Sequence, residues 1–471
     1  MASNRDLTSG PVASGLARLA LPMVLGVGAT LSVSLADAYF LGRLGTAALA
    51  AISFTFPVVL TVTSLAIGLS AGAASVLSRA IGAGRGEADA ARLATDALLL
   101  ALLVILPAGV IGFVTVEPVF RLLGADGEVL AALIPYMRVW YASLPFLAVP
   151  IVASGILRAN GDAVAPSAIM ITIAVLNLAL DPILIFGLGP APELGVEGAG
   201  WASLAARIVG TVATLLVLRF RERLLTFSLP IGRNLLASWR SILKVAGPAS
   251  LSNVVNPLGI SVVTAFLAGY GNEVVAAFGV ATRIESLASI PLLALSGSIG
   301  PVAGQNWGKG RKDRTRRSMQ LSYAFSCLWA AVVAAVFWTA AGPIVSVFGE
   351  SGPVQDSAAS YLRIVGLSLF GYGVVITASA AYNATDRARG GLVFTLLRSA
   401  VLYVPLAGLA ALLGPAWFVF AAIAAANVVS GLAVWFVSLA RASGGCEDKF
   451  PLARLVPMRL KAASPLRRER A

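Results

Sequence analysis

The chain has no histidine, two cysteines among 471 residues, and little charge, with Asp, Glu, Lys and Arg making up 12% of the sequence. Each shortage removes a class of function. Without imidazole, zinc centres and His-based acid–base catalysis are nearly excluded. Cys327 lies inside an apolar block and Cys446 near the C-terminus, with neither metal spacing nor a disulfide framework. So few charges cannot clothe a water-soluble domain of this size. What is abundant is apolar: 58% of residues are hydrophobic and the mean hydropathy is +0.87. They arrive in blocks of about 20 residues or more, long enough to cross roughly 30 Å of hydrocarbon. Backbone in lipid must hydrogen-bond to itself, so these blocks are helices, and the expected fold class is an all-α integral membrane protein. Residues 1–15 are polar and the next block is longer than a signal-peptide core, so it reads as the first span.

Hydropathy places twelve spans, near residues 17–40, 52–78, 95–116, 132–157, 164–188, 197–218, 238–268, 275–304, 318–340, 356–382, 390–412 and 416–440. The net charge of +13 does not mark a nucleic-acid surface, because Lys and Arg are shared among short loops. Arg79/Arg85/Arg92, Arg158, the stretch from Arg219 to Lys244, the stretch from Lys309 to Arg317, Arg387/Arg389 and the C-terminal tail all follow even-numbered spans. The loops after odd-numbered spans hold only scattered Arg43 and Arg121, and the one with Glu193 and Glu197 holds no basic residue. The positive-inside rule then puts both termini on the cytoplasmic side of a bacterial inner membrane. The run from Lys309 to Arg317 reads as an anchor at anionic headgroups.

The two halves repeat each other. The heptapeptide ending at Pro22 aligns with that ending at Pro248. Without a gap the same register pairs Phe40 with Phe266, Gly45 with Gly271, Gly82 with Gly308, Gly84 with Gly310 and Arg85 with Arg311. After a slip of one residue, Gly124 pairs with Gly349 and Tyr136-Met137-Arg138-Val139 with Tyr361-Leu362-Arg363-Ile364. The expected organisation is a six-helix N-terminal lobe over 1–225, a pseudo-symmetric six-helix lobe over 226–445 and a basic cytoplasmic tail over 446–471. Six spans is an even number, so the lobes enter the membrane in the same direction and flank a central cleft, an arrangement suited to alternating access. One chain holds both lobes, so a monomer is expected.

The run from Ala36 to Gly45, followed by Ala48-Leu49-Ala50-Ala51, the repeat ends Ile81-Gly82-Ala83-Gly84 and Gln305-Asn306-Trp307-Gly308, and Asn177 with Asp181-Pro182 resemble the MATE (multidrug and toxic compound extrusion) family, most of all its prokaryotic DinF-like branch. The resemblance covers nearly the whole chain. It implies export of amphipathic, often cationic compounds in exchange for H+ or Na+, no cofactor, and coupling carboxylates at Asp37 and Asp181 with Asn177 beside them. It also implies a bendable first helix at Pro22. The sodium-coupled NorM-like branch carries C-lobe acids in helices seven and ten. Here the seventh span offers only Asn253 and Asn256, and no acid is expected in the tenth, which favours proton coupling.

The residues support that site on their own terms. An ionised Asp at the centre of a span costs roughly 2.5–3.5 kcal/mol on insertion scales, so two in one bundle need a function to retain them. Asp37 and Asp181 both fall toward the outer ends of their spans. Asn177 and Asp181, four residues apart, share a helix face. Pro182 leaves the carbonyl of Leu178 without its helical donor, and Pro22 does the same for Arg18, giving that helix a bend point. The oxygens together form a small proton or hard-cation site. Against this stands a blander reading, in which Asp37 caps its helix or pairs with Arg43 and Asp181 is merely near a loop. Arg207, mid-span in helix six, either neutralises an acid or snorkels. Ser203, one turn earlier, could add a hydroxyl. Arg283 and Glu285 in span eight read as a structural salt bridge before a substrate contact. A flippase for lipid-linked oligosaccharides is the alternative function, but it would want a basic cluster facing the cleft, and the spans offer only Arg207 and Arg283. An embedded enzyme lacks its catalytic set.

Overall fold

A computed structural model of the chain describes residues 6–189, 191–226, 234–348 and 351–442. The predicted tail over 446–471, with Cys446, and the repeat position Gly349 lie outside the described residues. Ten single helices and two bent pairs are long and apolar enough to cross a membrane. In chain order they are α1 (Val12–Gly42), α2 (Ala50–Gly82), α3 (Glu87–Leu122), α4 (Gly127–Ala142 with Leu144–Ala159), α5 (Val164–Phe186), α6 (Gly195–Arg221) and α7 (Leu235–Tyr270). Then follow α8 (Asn272–Ala288 with Ile290–Gly308), α9 (Lys312–Ser346), α10 (Pro353–Ala384), α11 (Ala388–Leu413) and α12 (Ala416–Ala440). Among the described residues there is no strand. The twelve spans match the hydropathy reading. One correction concerns α10, which does hold an acid: Asp356 sits in its first turn, ahead of the apolar stretch.

Large apolar side chains such as Leu103, Val110 and Val114 on α3 remain exposed, as a lipid solvent allows. The two bent spans break at the same local sequence. Ser143-Leu144-Pro145 turns α4 by 48° and Ser289-Ile290-Pro291 turns α8 by 46°. In each, the proline removes a backbone donor and crowds the preceding turn. Pro22, by contrast, leaves α1 one uninterrupted helix. The internal repeat extends to the backbone: Gly45 and Gly271 have φ of 110° and 104°, Gly84 and Gly310 have 73° and 79°. Only glycine adopts those angles without strain, so the paired loops turn in the same way.

Hydrogen bonds and ion pairs between the two sets of six helices gather at the end carrying the basic loops. Ser75 Oγ donates to the Asn383 carbonyl at 2.6 Å and Gln305 Nε2 to the Ala159 carbonyl at 2.8 Å. Arg79 on α2 pairs with Asp386 at 3.3 Å, which also holds Lys244 on α7 at 2.7 Å. The segment Leu7–Ser9 is laced to the end of α8 and the start of α9: Leu7 N–H donates to Gln305 Oε1, Asn306 to the Leu7 carbonyl, Lys309 to Thr8 and Arg314 to Ser9. The inner half of α8 packs on α1 and α2, whereas the outer halves of α4 and α8 pack chiefly within their own six helices. The molecule is therefore sealed at its basic end.

Candidate functional site

The polar interior of the first six helices is assembled from four spans. Asp37 comes from the outer part of α1, Asn177 and Asp181 from one face of α5, Ser203 and Arg207 from α6, and Tyr136 from α4. The bend in α4 places the buried Ser143 at the break, where its hydroxyl donates to the Trp140 carbonyl and accepts from Arg207 Nη1 at 2.6 Å. Asp181 and Asn177 are almost fully buried, at 0% and 3% exposure. Asn177 Nδ2 donates to Asp181 Oδ1 at 3.4 Å and to Ser203 Oγ at 3.2 Å. The Asp37 and Asp181 carboxyls interact directly. Each keeps a buried oxygen without a partner, Asp37 Oδ1 and Asp181 Oδ2, and so does Asn177 at Oδ1.

Buried polar atoms in proteins are nearly always paired, so three orphan acceptors in one cluster call for a cation or a donor. Two carboxyls at this range repel unless a proton or cation lies between them. The donor set is all oxygen, which suits H+ or a hard monovalent ion and not a soft metal. Among the described residues no group of His, Cys, Asp and Glu is arranged to hold a multivalent metal.

Of the predicted site residues, Asp37, Asn177, Asp181, Ser203 and Arg207 come together. Arg207 stands within charge range of Asp37 and Tyr136 but pairs with Ser143 and with neither carboxylate. Asp37 does not pair with Arg43, whose guanidinium lies over the Phe186 ring. Arg283 and Glu285 depart from expectation. They form no salt bridge among the described residues, because positions two apart on a helix face away from each other. Arg283 is exposed, while Glu285 turns inward and accepts from Tyr361 Oη at 2.7 Å.

The sequence reading also missed a residue. Arg398, midway along α11, is buried at 6% exposure. It donates through Nε to Asn427 Oδ1 at 2.8 Å and through Nη1 to Asn256 Oδ1, with Tyr372 and Tyr403 ring centroids 4.7 and 5.6 Å away. The spans thus supply more inward positive charge than Arg207 and Arg283 alone. Asn253, by contrast, is spent on its own helix at the Ala249 carbonyl. A lone arginine in an otherwise apolar block was the available signal.

Compared with known proteins, the chain matches the MatE family model twice, over residues 22–183 and 248–409. It is 35% identical to the FAD transporter of Shewanella oneidensis over 93% of this chain and 97% of that protein. It is 25% identical to the multidrug export protein MepA of Staphylococcus saprophyticus over 91% and 94%. Among solved structures, a mutant of the Vibrio cholerae MATE transporter VcmN superposes with a TM-score of 0.88 at 27% identity, covering 93% of this chain and 98% of that one.

Proposed function

The chain belongs to the MATE family of membrane transporters, and from that premise we propose that it is a secondary antiporter exporting amphipathic organic compounds in exchange for H+ or Na+, with Asp37, Asn177 and Asp181 as its coupling site. The observation that carries this reading is the buried oxygen cluster with three unpartnered acceptors. A proton or Na+ there cancels stored negative charge. An ionised cluster attracts a cationic substrate into the N-lobe and a neutralised one releases it, so ion entry from the outer side drives cargo out. Ser203 accepts from Asn177 at the rim of the cluster, and Arg207 supplies a positive charge within range of Asp37. Pro22, one donor short, gives α1 a place to flex when Asp37 changes charge. The lobes are taken as 1–225 and 226–445, and the site works as a monomer in a bacterial inner membrane with both termini cytoplasmic.

A second reading concerns cargo. The Shewanella relative is named for FAD, an anionic aromatic molecule, and Arg398 puts positive charge inside the C-terminal lobe. The test is exchange in proteoliposomes under an imposed pH or Na+ gradient, with ethidium and FAD as alternative cargoes. Gradient-driven movement of either supports antiport and identifies the ion. If neither gradient moves either cargo, the antiport reading fails.

A further inference from the structure

Arg398 is costly where it stands. A guanidinium deep in a spanning helix is retained only when something partners it, yet its hydrogen-bond acceptors are two neutral amide oxygens, from Asn256 on α7 and Asn427 on α12. Among the described residues it makes no ion pair. Glu285 lies within charge range but is spent on Tyr361. Nε and Nη1 are engaged, and Nη2 has no hydrogen-bond partner among the described residues. It is also absent from the fully enclosed, partnerless atoms, so this nitrogen keeps a small accessible surface. Tyr372 presents its ring face to the guanidinium at 4.7 Å and is itself only half buried.

The backbone adds an independent sign. α11 is α-helical over Ala388–Leu396, widens into a π-helix over Leu397–Tyr403 and returns to α-helix at Val404. Such widened turns are uncommon and gather at functional sites. Here the turn carries both Arg398 and Tyr403, and Asn427 is oriented in turn by donating to Ser368 Oγ at 3.1 Å. One of the two amides that hold the guanidinium is thus itself held from a third span.

The two lobes place this chemistry at matching positions. Tyr361 is the repeat partner of Tyr136. Tyr136 lies among Asp37, Asp181 and Arg207, and Tyr361 lies among Glu285, Tyr403 and Arg398. The first site holds two acids and one base, the second one acid and one base.

We propose that the Arg398 fork, with Tyr372 beside it, is a cargo subsite in the C-terminal lobe for an oxyanion, phosphate or carboxylate, carried on an aromatic scaffold. The Nη2 amino group, positively charged and with donors to spare, can hydrogen-bond an oxyanion. The other face of the Tyr372 ring, on a side chain only half buried, is a surface on which an aromatic body can stack. The subsite rests on the transport reading only in calling its occupant cargo, and its ligand is distinct from the coupling ion of the other lobe.

The test is equilibrium binding to the purified full chain in lipid nanodiscs, by fluorescence, with two matched pairs: FMN against riboflavin for phosphate, and pyrenebutyrate against pyrenebutanol for carboxylate. The parent is expected to favour at least one charged member by about tenfold, and the pair that discriminates identifies the oxyanion. Arg398→Gln should erase the preference while leaving the neutral member's affinity in place. Glu285→Gln, which removes a competing negative charge and leaves the guanidinium intact, should strengthen oxyanion binding severalfold. If the parent shows no preference in either pair, or if Arg398→Gln keeps the preference, the subsite is refuted. Should Arg398→Gln not fold, unchanged oxyanion affinity in Glu285→Gln refutes it instead. Asp37→Asn should keep the preference while losing gradient-driven exchange, so failure of the antiport reading and failure of this subsite are separable.

Discussion

At the scale of single residues, the coupling proposal depends on two carboxyls and an amide whose oxygens face one another without enough donors. Asp37→Asn and Asp181→Asn each remove one negative charge while keeping the shape. Each should lower gradient-driven exchange by about tenfold or more, within the range of a coupling free energy of 1–3 kcal/mol, and should weaken binding of a cationic cargo while sparing an anionic one. Asn177→Leu leaves Asp181 Oδ1 without its 3.4 Å donor and should also cost stability, about 1–3 kcal/mol for the stranded acceptor, readable as a lower unfolding midpoint in detergent. These residues were legible because charge in an apolar block stands out and because Asn177 and Asp181 are one helical turn apart. Tyr136, Ser143 and Arg398 were not singled out. Tyr136 is an ordinary aromatic until three other helices surround it, Ser143 gains its role only from the bend in α4, and Arg398, as visible a charge as the acids, gains its role only from Asn256 and Asn427 on other spans.

At the scale of elements, α2 runs close against α7. A Cβ on Gly68 would come within 2.7 Å of the Ala246 carbonyl, and one on Gly72 within 2.6 Å of the Ile242 carbonyl. Backbone cannot yield as a side chain can, so Gly68→Val should force the two helices apart at a cost of about 1–3 kcal/mol or more. The measurement is thermal stability in nanodiscs together with cysteine cross-linking between α2 and α7. An unchanged cross-linking pattern and midpoint would refute it. Element boundaries were largely readable from hydropathy, and Pro145 and Pro291 explain the two bends. The π-helical stretch of α11 was not readable, since nothing in the composition of 397–403 distinguishes a widened turn from an ordinary one.

At the scale of the whole molecule, Asp386 bridges α2 and α7 through Arg79 and Lys244. Burial pushes its carboxyl upward, but the Lys244 hydrogen bond and the Arg79 charge outweigh it and hold the group below its ordinary value of 3.8. A carboxyl held low favours the closed end while it is ionised, so this contribution is complete above the ordinary range and fades as pH falls below about 4. Because the pairs are half exposed and screened, the effect is modest, about 0–1 kcal/mol. Asp386→Asn should shift the population toward opening at the basic end by up to about fivefold, measured as labelling of a cysteine placed at Ser75. The difference between parent and variant should shrink progressively as the pH is lowered below about 4. The doubling of the fold was legible in the paired glycines and arginines, whereas the side on which the two bodies meet was not, because it depends on contacts between segments hundreds of residues apart.

The lacing of Leu7, Thr8 and Ser9 onto the far half of the chain has a practical corollary for anyone handling this protein. A bulky affinity handle or fluorescent fusion placed just ahead of Leu7 would load a contact that ties the two sets of six helices together, and its readouts would report the handle as much as the protein.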